Sequence, residues 1–142
     1  MANPASSKDQ MPRKLLGWTL TLAYMALIFR LSHKPAIEIP PLFPHQDKVF
    51  HFCEYFGLGF LLPLAIPGGA TRRRFLLAFF LAAAYGISDE IHQSFVPGRD
   101  ASVWDWLADA AGAWTGAWFF LRGEASIRRL LATSGFSQRA EK

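Results

Sequence analysis

The first stretch with residues suited to chemistry begins at Asp47. Asp47, His51 and Tyr55 are spaced four residues apart, so a helix places all three on one face. A carboxylate one helical turn from a histidine can orient the imidazole and raise its basicity. The spacing therefore predicts an acid–base pair in which Asp47 holds His51. It is equally compatible with an ordinary helix start, where Asp47 only favours the positive end of the helix dipole.

The second stretch contains two adjacent acids, Asp89 and Glu90, directly after a long apolar run. Gln93 shares a helical face with Asp89, and Pro97-Gly98 predicts a tight turn that brings Arg99 back towards the acids. One interpretation is proton donation by an acid, with Arg99 stabilising developing negative charge. The other is an arginine–carboxylate knot that only locks the turn.

The third stretch begins with Ser102, whose hydroxyl suits a helix N-cap. Asp105, Asp109, Gly112 and Gly116 follow at intervals of four or three residues and form one stripe. The glycine part predicts a surface where another helix approaches closely. The stripe should therefore face the interior of a bundle, where Asp109 needs a partner, a proton or a water-filled cavity.

The elements that must position these residues are four apolar segments, residues 15–31, 49–66, 72–93 and 102–121. Their lengths approach the roughly 20 residues that cross a bilayer, and only helices can do so here. Charged residues make up 18% of the chain, against about 25% in soluble domains. We predict an all-α, integral membrane four-helix bundle over residues 15–121. Residues 1–14 form an N-terminal tail, and residues 122–142 form a basic tail, either an amphipathic helix or disordered.

Basic residues predict the orientation of this bundle. Most of them lie in the two tails and at Arg72–Arg74, so the positive-inside rule places both termini in the cytoplasm. If the helices alternate, all three stretches lie at the outer side of a plasma or inner membrane that the chain crosses several times. The basic residues cluster at segment ends without a recognised nucleic-acid motif, so we expect no nucleic-acid partner.

The three stretches together resemble the VanZ-like membrane protein family. The resemblance rests on the following pattern: Asp47-Lys48-x-x-His51-x-x-x-Tyr55, Ser88-Asp89-Glu90-x-x-Gln93-x-Phe95-x-Pro97-x-Arg99, and Asp105 followed by Gly112-x-x-x-Gly116. It implies a four-helix membrane protein of the cell envelope, in a family named for a member that lowers susceptibility to the glycopeptide teicoplanin. Where that family usually has asparagine one turn after the helix-four aspartate, this chain has Asp109. The extra acid would alter proton or cation handling.

These observations give two sets of candidate site residues. The catalytic set is Asp47, His51, Asp89, Glu90 and Asp105, and the ligand-binding set is Lys48, Tyr55, Gln93, Arg99 and Asp109. Lys48 and Arg99 would hold an anionic headgroup through charge-assisted hydrogen bonds.

Three functions fit the candidate residues. The first is binding of an envelope lipid, a cell-wall precursor or a glycopeptide, and the second is an intramembrane hydrolase or transferase. The third is proton- or ion-coupled transport, for which four helices would have to pair as a homodimer. A blander alternative is that the polar cluster only specifies helix register. A further alternative is a divalent ion held by Asp47, His51, Glu90 and Asp105. The chain lacks a compact signature such as His-Glu-x-x-His, so we expect no metal and no other cofactor.

Overall fold

The fold consists of four helices in the computed structural model, which describes residues 7–34, 42–66, 68 and 70–140. They are α1 (Ser7–Ser32), α2 (Gln46–Ala65), α3 (Thr71–Gln93) and α4 (Val103–Ala140), with no strand within those ranges. The predicted all-α, four-helix architecture is confirmed. α1 begins inside the expected N-terminal tail, and α4 continues through the expected basic tail as one helix.

Many large apolar side chains lie exposed on the outer surface of the bundle. Two segments, Lys14–Ser32 and Thr71–Gln93, are long and apolar enough to cross a membrane, judged by length and composition. Large apolar residues that are more than half exposed include Leu15, Leu22, Phe50, Phe80, Phe95, Trp104 and Phe119. The buried residues include four acids: Asp89, Glu90, Asp105 and Asp109. The usual distribution of a soluble protein is thus partly inverted.

The most extensive helix–helix contact joins α2 and α4. A Cβ atom added at Gly112 or Gly116 would collide with the backbone carbonyl oxygen of Phe52 or Phe56 in α2. Only glycine permits this approach, so the predicted Gly-x-x-x-Gly packing surface is confirmed. Gly112 lies three residues after Asp109, so this close approach also brings the first turns of α2 and α4 together.

Small and aliphatic side chains fill the middle of the bundle. The buried cluster consists of Ile28, Tyr55, Leu58, Leu62, Ala78, Ala82, Ala113 and Ala117. Beyond it, at the end opposite the candidate site, Arg74 at the start of α3 is buried. Its guanidinium donates to the carbonyl oxygens of Pro63, at 2.6 Å, and Ile66, at 3.0 Å, and pairs with Glu124 in α4. The bundle therefore has polar contacts at both ends and an apolar middle.

Candidate functional site

The candidate site lies where α1 and α3 end and α2 and α4 begin. His51 comes from α2, Glu90 from α3 and Asp105 from α4, and one nitrogen or oxygen atom of each lies within 4.8 Å of the others. All three are buried. Residues that are far apart in sequence thus meet in one cluster, which we call the acid–imidazole cluster: His51, Glu90, Asp105 and Asp109.

The carboxylate beside His51 belongs to Asp109. His51 Nδ1 lies 2.9 Å from Asp109 Oδ1, and Asp109 is completely buried. Asp47 was expected in this role, but its side chain is 59% exposed and bonded to Lys48. The reason is tertiary, because α2 and α4 approach most closely around Gly112, three residues after Asp109. The expected Asp47–His51 pairing is replaced by one between helices.

The Lys48 ammonium donates hydrogen bonds to two carboxylates. Its Nζ donates to Asp105 Oδ1 at 2.6 Å and to Asp47 Oδ2 at 2.8 Å. The hydrogen bond to Asp105, and next that to Asp47, raises the pKa of Lys48. The hydrogen bond from Lys48 lowers the pKa of Asp47 below its ordinary value. Lys48 therefore holds acids of the protein itself, which differs from the expected contact with an anionic ligand.

Glu90 and Asp89 face different partners although they are adjacent. Glu90 Oε2 accepts the Ser102 N–H at 2.6 Å, which ties the end of α3 to the start of α4. Glu90 Oε1 lies 3.9 Å from His51 Nδ1 and has no hydrogen-bond partner among the residues described. Asp89 Oδ2 accepts from Ser32 Oγ at 2.9 Å and Gln93 Nε2 at 3.0 Å. Gln93 thus positions an acid of the protein.

The predicted tight turn is present, with Gly98 at a φ of 76°. Arg99, however, donates from Nε to the Lys34 carbonyl oxygen at 3.4 Å. In the described ranges it forms no ion pair with Asp89 or Glu90, so the arginine–carboxylate knot, one of the two interpretations of this turn, is not formed. Arg99 instead lines a cavity.

That cavity has a volume of about 380 Å³ and opens beside the acid–imidazole cluster. Its lining consists of Leu31, Ser32, Lys34, Asp47, Phe50, His51, Glu54, Gln93 and Arg99. Asp47, His51, Gln93 and Arg99 were expected site residues. Tyr55 and Asp109 were expected to contact ligand, but both are fully buried and neither lines the cavity. The Tyr55 hydroxyl has no hydrogen-bond partner in the described part of the chain.

Three polar residues of the cavity were not among the expected site residues: Ser32, Lys34 and Glu54. Glu54 follows His51 by three residues, so helical spacing could have identified it. Ser32 and Lys34 sit at the end of α1, where no motif marks them. Their place depends on how α1 packs against α2, for instance at Gly17, where an added Cβ would collide with the Ala65 backbone.

Comparison with known proteins gives one family. The sequence profile described as VanZ/LLP1 matches residues 17–127. No significant match was found to a curated protein or to a solved structure. The matched range covers most of the chain and includes all of α2 and α3, with the parts of α1 and α4 that contribute residues to the site. This chain belongs to the VanZ/LLP1 family.

Proposed function

We propose that this protein crosses the plasma or inner membrane four times, with both termini in the cytoplasm, and binds the polar headgroup of an envelope lipid in its outer cavity. A lipid-linked cell-wall precursor is included in that ligand class. The observation that carries the proposal is a cavity of about 380 Å³, lined in part by charged and polar residues, at one end of a bundle that exposes many large apolar side chains.

The membrane part of the proposal is supported by the exposed apolar surface. Apolar side chains such as Leu22, Phe80 and Phe119 are more than half exposed on different helices. Large exposed apolar patches mark contact with protein or lipid. Basic residues concentrate at the end that contains Arg72, Arg73 and Arg122, which favours that end as cytoplasmic.

Membrane orientation can be tested by cysteine accessibility. In a Cys53→Ser background, Ser94→Cys should react with an impermeant thiol reagent from outside the cell, and Ser126→Cys should react only after permeabilisation. Ser94 follows α3 beside the cavity, and Ser126 lies in the later part of α4. Equal labelling of both positions from outside would contradict the orientation.

The headgroup part is supported by the size and charge of the cavity. Small-molecule sites are commonly about 300–1,000 Å³, so this volume suits a headgroup better than a whole glycopeptide. Lys34 and Arg99 provide positive charge for a phosphate. Glu54 and Asp47 provide acceptors for hydroxyl or ammonium groups. Phe50 gives the cavity an apolar part, against which acyl chains can continue into lipid.

Native mass spectrometry of protein extracted with its lipids tests this binding. Arg99→Gln should lose bound phospholipid by at least about tenfold, since a charge-assisted hydrogen bond contributes about 1.5–3 kcal/mol. Arg30→Gln is the matched control. Arg30 is exposed in the last turn of α1, the end of that helix that borders the cavity, but it does not line the cavity itself. Equal lipid retention by both variants would refute the proposed site.

An intramembrane hydrolase or transferase is the second candidate. It is favoured by the buried contact of 2.9 Å between His51 and Asp109, because such a carboxylate can orient an imidazole that accepts a proton. Comparing the envelope lipids of cells with wild-type protein and with His51→Gln distinguishes the two. Altered lipid composition indicates chemistry, whereas altered retention alone indicates binding. The structure does not favour transport, because residues in the middle of the bundle, such as Leu58, Ala82 and Ala113, are apolar.

A further inference from the structure

The acid–imidazole cluster contains a set of donor atoms from three helices. One nitrogen of His51 and one oxygen each from Glu90 and Asp105 lie within 4.8 Å of one another. Zinc binds such atoms at about 2.0–2.2 Å, so its ligand atoms lie roughly 3–4 Å apart. Ion binding would therefore draw these donor atoms together by up to about an ångström. Asp47, the fourth residue of the ligand set considered from sequence, lies outside this group.

An unpartnered oxygen points to a missing ligand in this cluster. Glu90 Oε1 is buried without a hydrogen-bond partner among the described residues, and it faces His51 Nδ1 at 3.9 Å. The Glu90 side chain is only 9% exposed. Asp109 Oδ2 is also buried without a described partner. Buried carboxylate oxygens without partners are costly, so each requires an explanation.

The charges of the cluster also favour a cation. The cluster contains three buried acids: Glu90, Asp105 and Asp109. Lys48 donates a hydrogen bond to one of them, Asp105. Lys48 divides its donors between Asp105 and the exposed Asp47. Arg99 donates to a backbone carbonyl instead. A divalent ion would supply the positive charge that these acids lack.

The candidate ligands are already held in place by other groups. The Ser102 N–H holds one oxygen of Glu90, and the Lys48 ammonium holds one oxygen of Asp105. Asp109 lies against His51 Nδ1 and fixes the orientation of the ring. Metal-binding histidines commonly have a carboxylate partner of this kind. Because Nδ1 is already taken by Asp109, the ion would have to bind His51 through Nε2.

We propose that His51, Glu90 and Asp105 bind a divalent transition-metal ion of the zinc or manganese type. One imidazole with two carboxylates suits these ions, and three protein ligands leave a position open for water or for a phosphate oxygen. The proposal does not depend on lipid binding, because ion affinity can be measured in lipid-free detergent. Should the open position face the cavity, the ion would attract the phosphate of a bound headgroup.

Zinc and manganese binding to untagged, chelator-treated protein tests the proposal by isothermal titration calorimetry. The wild type should bind one ion per chain and melt at a higher temperature with the ion present. Glu90→Gln and Asp105→Asn should each weaken binding by at least about a hundredfold. Asp100→Asn, an exposed acid near the same turn, should bind as the wild type does. Binding by Glu90→Gln with wild-type affinity, or no binding by the wild type, would overturn the proposal.

A second histidine pair provides an internal check. His33 Nδ1 lies 3.2 Å from His92 Nε2 on the surface, and this pair could hold zinc by itself. If the ion binds the acid–imidazole cluster instead, His92→Gln should leave the measured affinity unchanged. X-ray absorption of zinc-loaded wild-type protein should show one imidazole and otherwise oxygen ligands. Two imidazoles would assign the ion to the surface pair and refute the proposed site without any variant having to fold.

Discussion

The two ends of the bundle both contain buried charge, but only one end satisfies it. Around Arg74, the guanidinium donates to two carbonyl oxygens and to Glu124, which also accepts from Arg128 at 3.0 Å. In and beside the acid–imidazole cluster, one oxygen each of Asp89, Glu90 and Asp109 has no described partner. A satisfied network stabilises a fold, whereas unsatisfied buried groups are retained for another reason.

We therefore call the end around Arg74 the structural end, and the end that holds the proposed site the functional end. The Arg74 contacts join the end of α2 and the start of α3 to α4, and they satisfy the buried guanidinium with acceptors of the protein itself. The opposite end holds acids near a cavity and keeps acceptor atoms available. Substitutions at the two ends should therefore separate stability from binding.

The largest effect is expected at the structural end. Arg74→Met should lower the free energy of unfolding by about 3–5 kcal/mol, because it leaves Glu124 and two carbonyl oxygens without their buried partner. Denaturant titration in detergent, followed by circular dichroism, measures the change. Arg73→Met is the control, since Arg73 is exposed and its replacement should change stability by less than about 0.5 kcal/mol. Similar losses for both would show that Arg74 has no special role.

The second-largest effect is expected at the contact between α2 and α4, which runs between the two ends. Gly116→Ala should lower the free energy of unfolding by about 2 kcal/mol, because the new methyl group meets the Phe56 backbone and forces α2 and α4 apart. Gly123→Ala, in the same helix, meets nothing within 4 Å and should be neutral or gain up to about 1 kcal/mol of helix propensity. The same denaturant titration compares them. Equal effects would mean that close packing of α2 on α4 is not required.

A smaller stability change is expected at the functional end. Asp109→Asn should cost less than about 1 kcal/mol, because it removes a buried charge surrounded by other acids and keeps an oxygen beside His51. Lipid retention or ion affinity should nevertheless fall, as measured by native mass spectrometry and calorimetry. Stability loss as large as that of Arg74→Met would show that the cluster is mainly structural.

The smallest effect is a pH dependence at the structural end. Burial raises the pKa of Glu124, but the hydrogen bonds from Arg74 and Arg128 outweigh it and hold the pKa below the ordinary value. A carboxyl with a depressed folded-state pKa stabilises the fold above its unfolded pKa. That contribution is lost as the pH falls through the folded value. Melting temperatures of the wild type should therefore fall in acid more steeply than those of Glu124→Gln. Parallel curves would exclude this linkage.

Much of the fold could be predicted because it depends on local pattern. Apolar runs of sufficient length predicted the four helices, and the spacing of Gly112 and Gly116 predicted the close contact of α4. The candidate site was harder to predict from the sequence. His51 and Asp109 were both identified, but their contact joins residues 58 positions apart, whereas Asp47 was the acid within reach along the sequence.

The sequence by itself determined that the chain forms four helices and about where each lies, which face of α4 packs, and which end of the bundle collects most of the acids. These properties follow from side-chain type and from the helical repeat, which act over a few residues. Only the tertiary structure decided that Asp109 faces His51, that Lys48 is held by two acids, and that Ser32 and Glu54 line the cavity. Those contacts depend on how closely α2 and α4 approach. The approach is close because Gly112 and Gly116 have no Cβ atom that would collide with the backbone of α2, a segment far away in sequence.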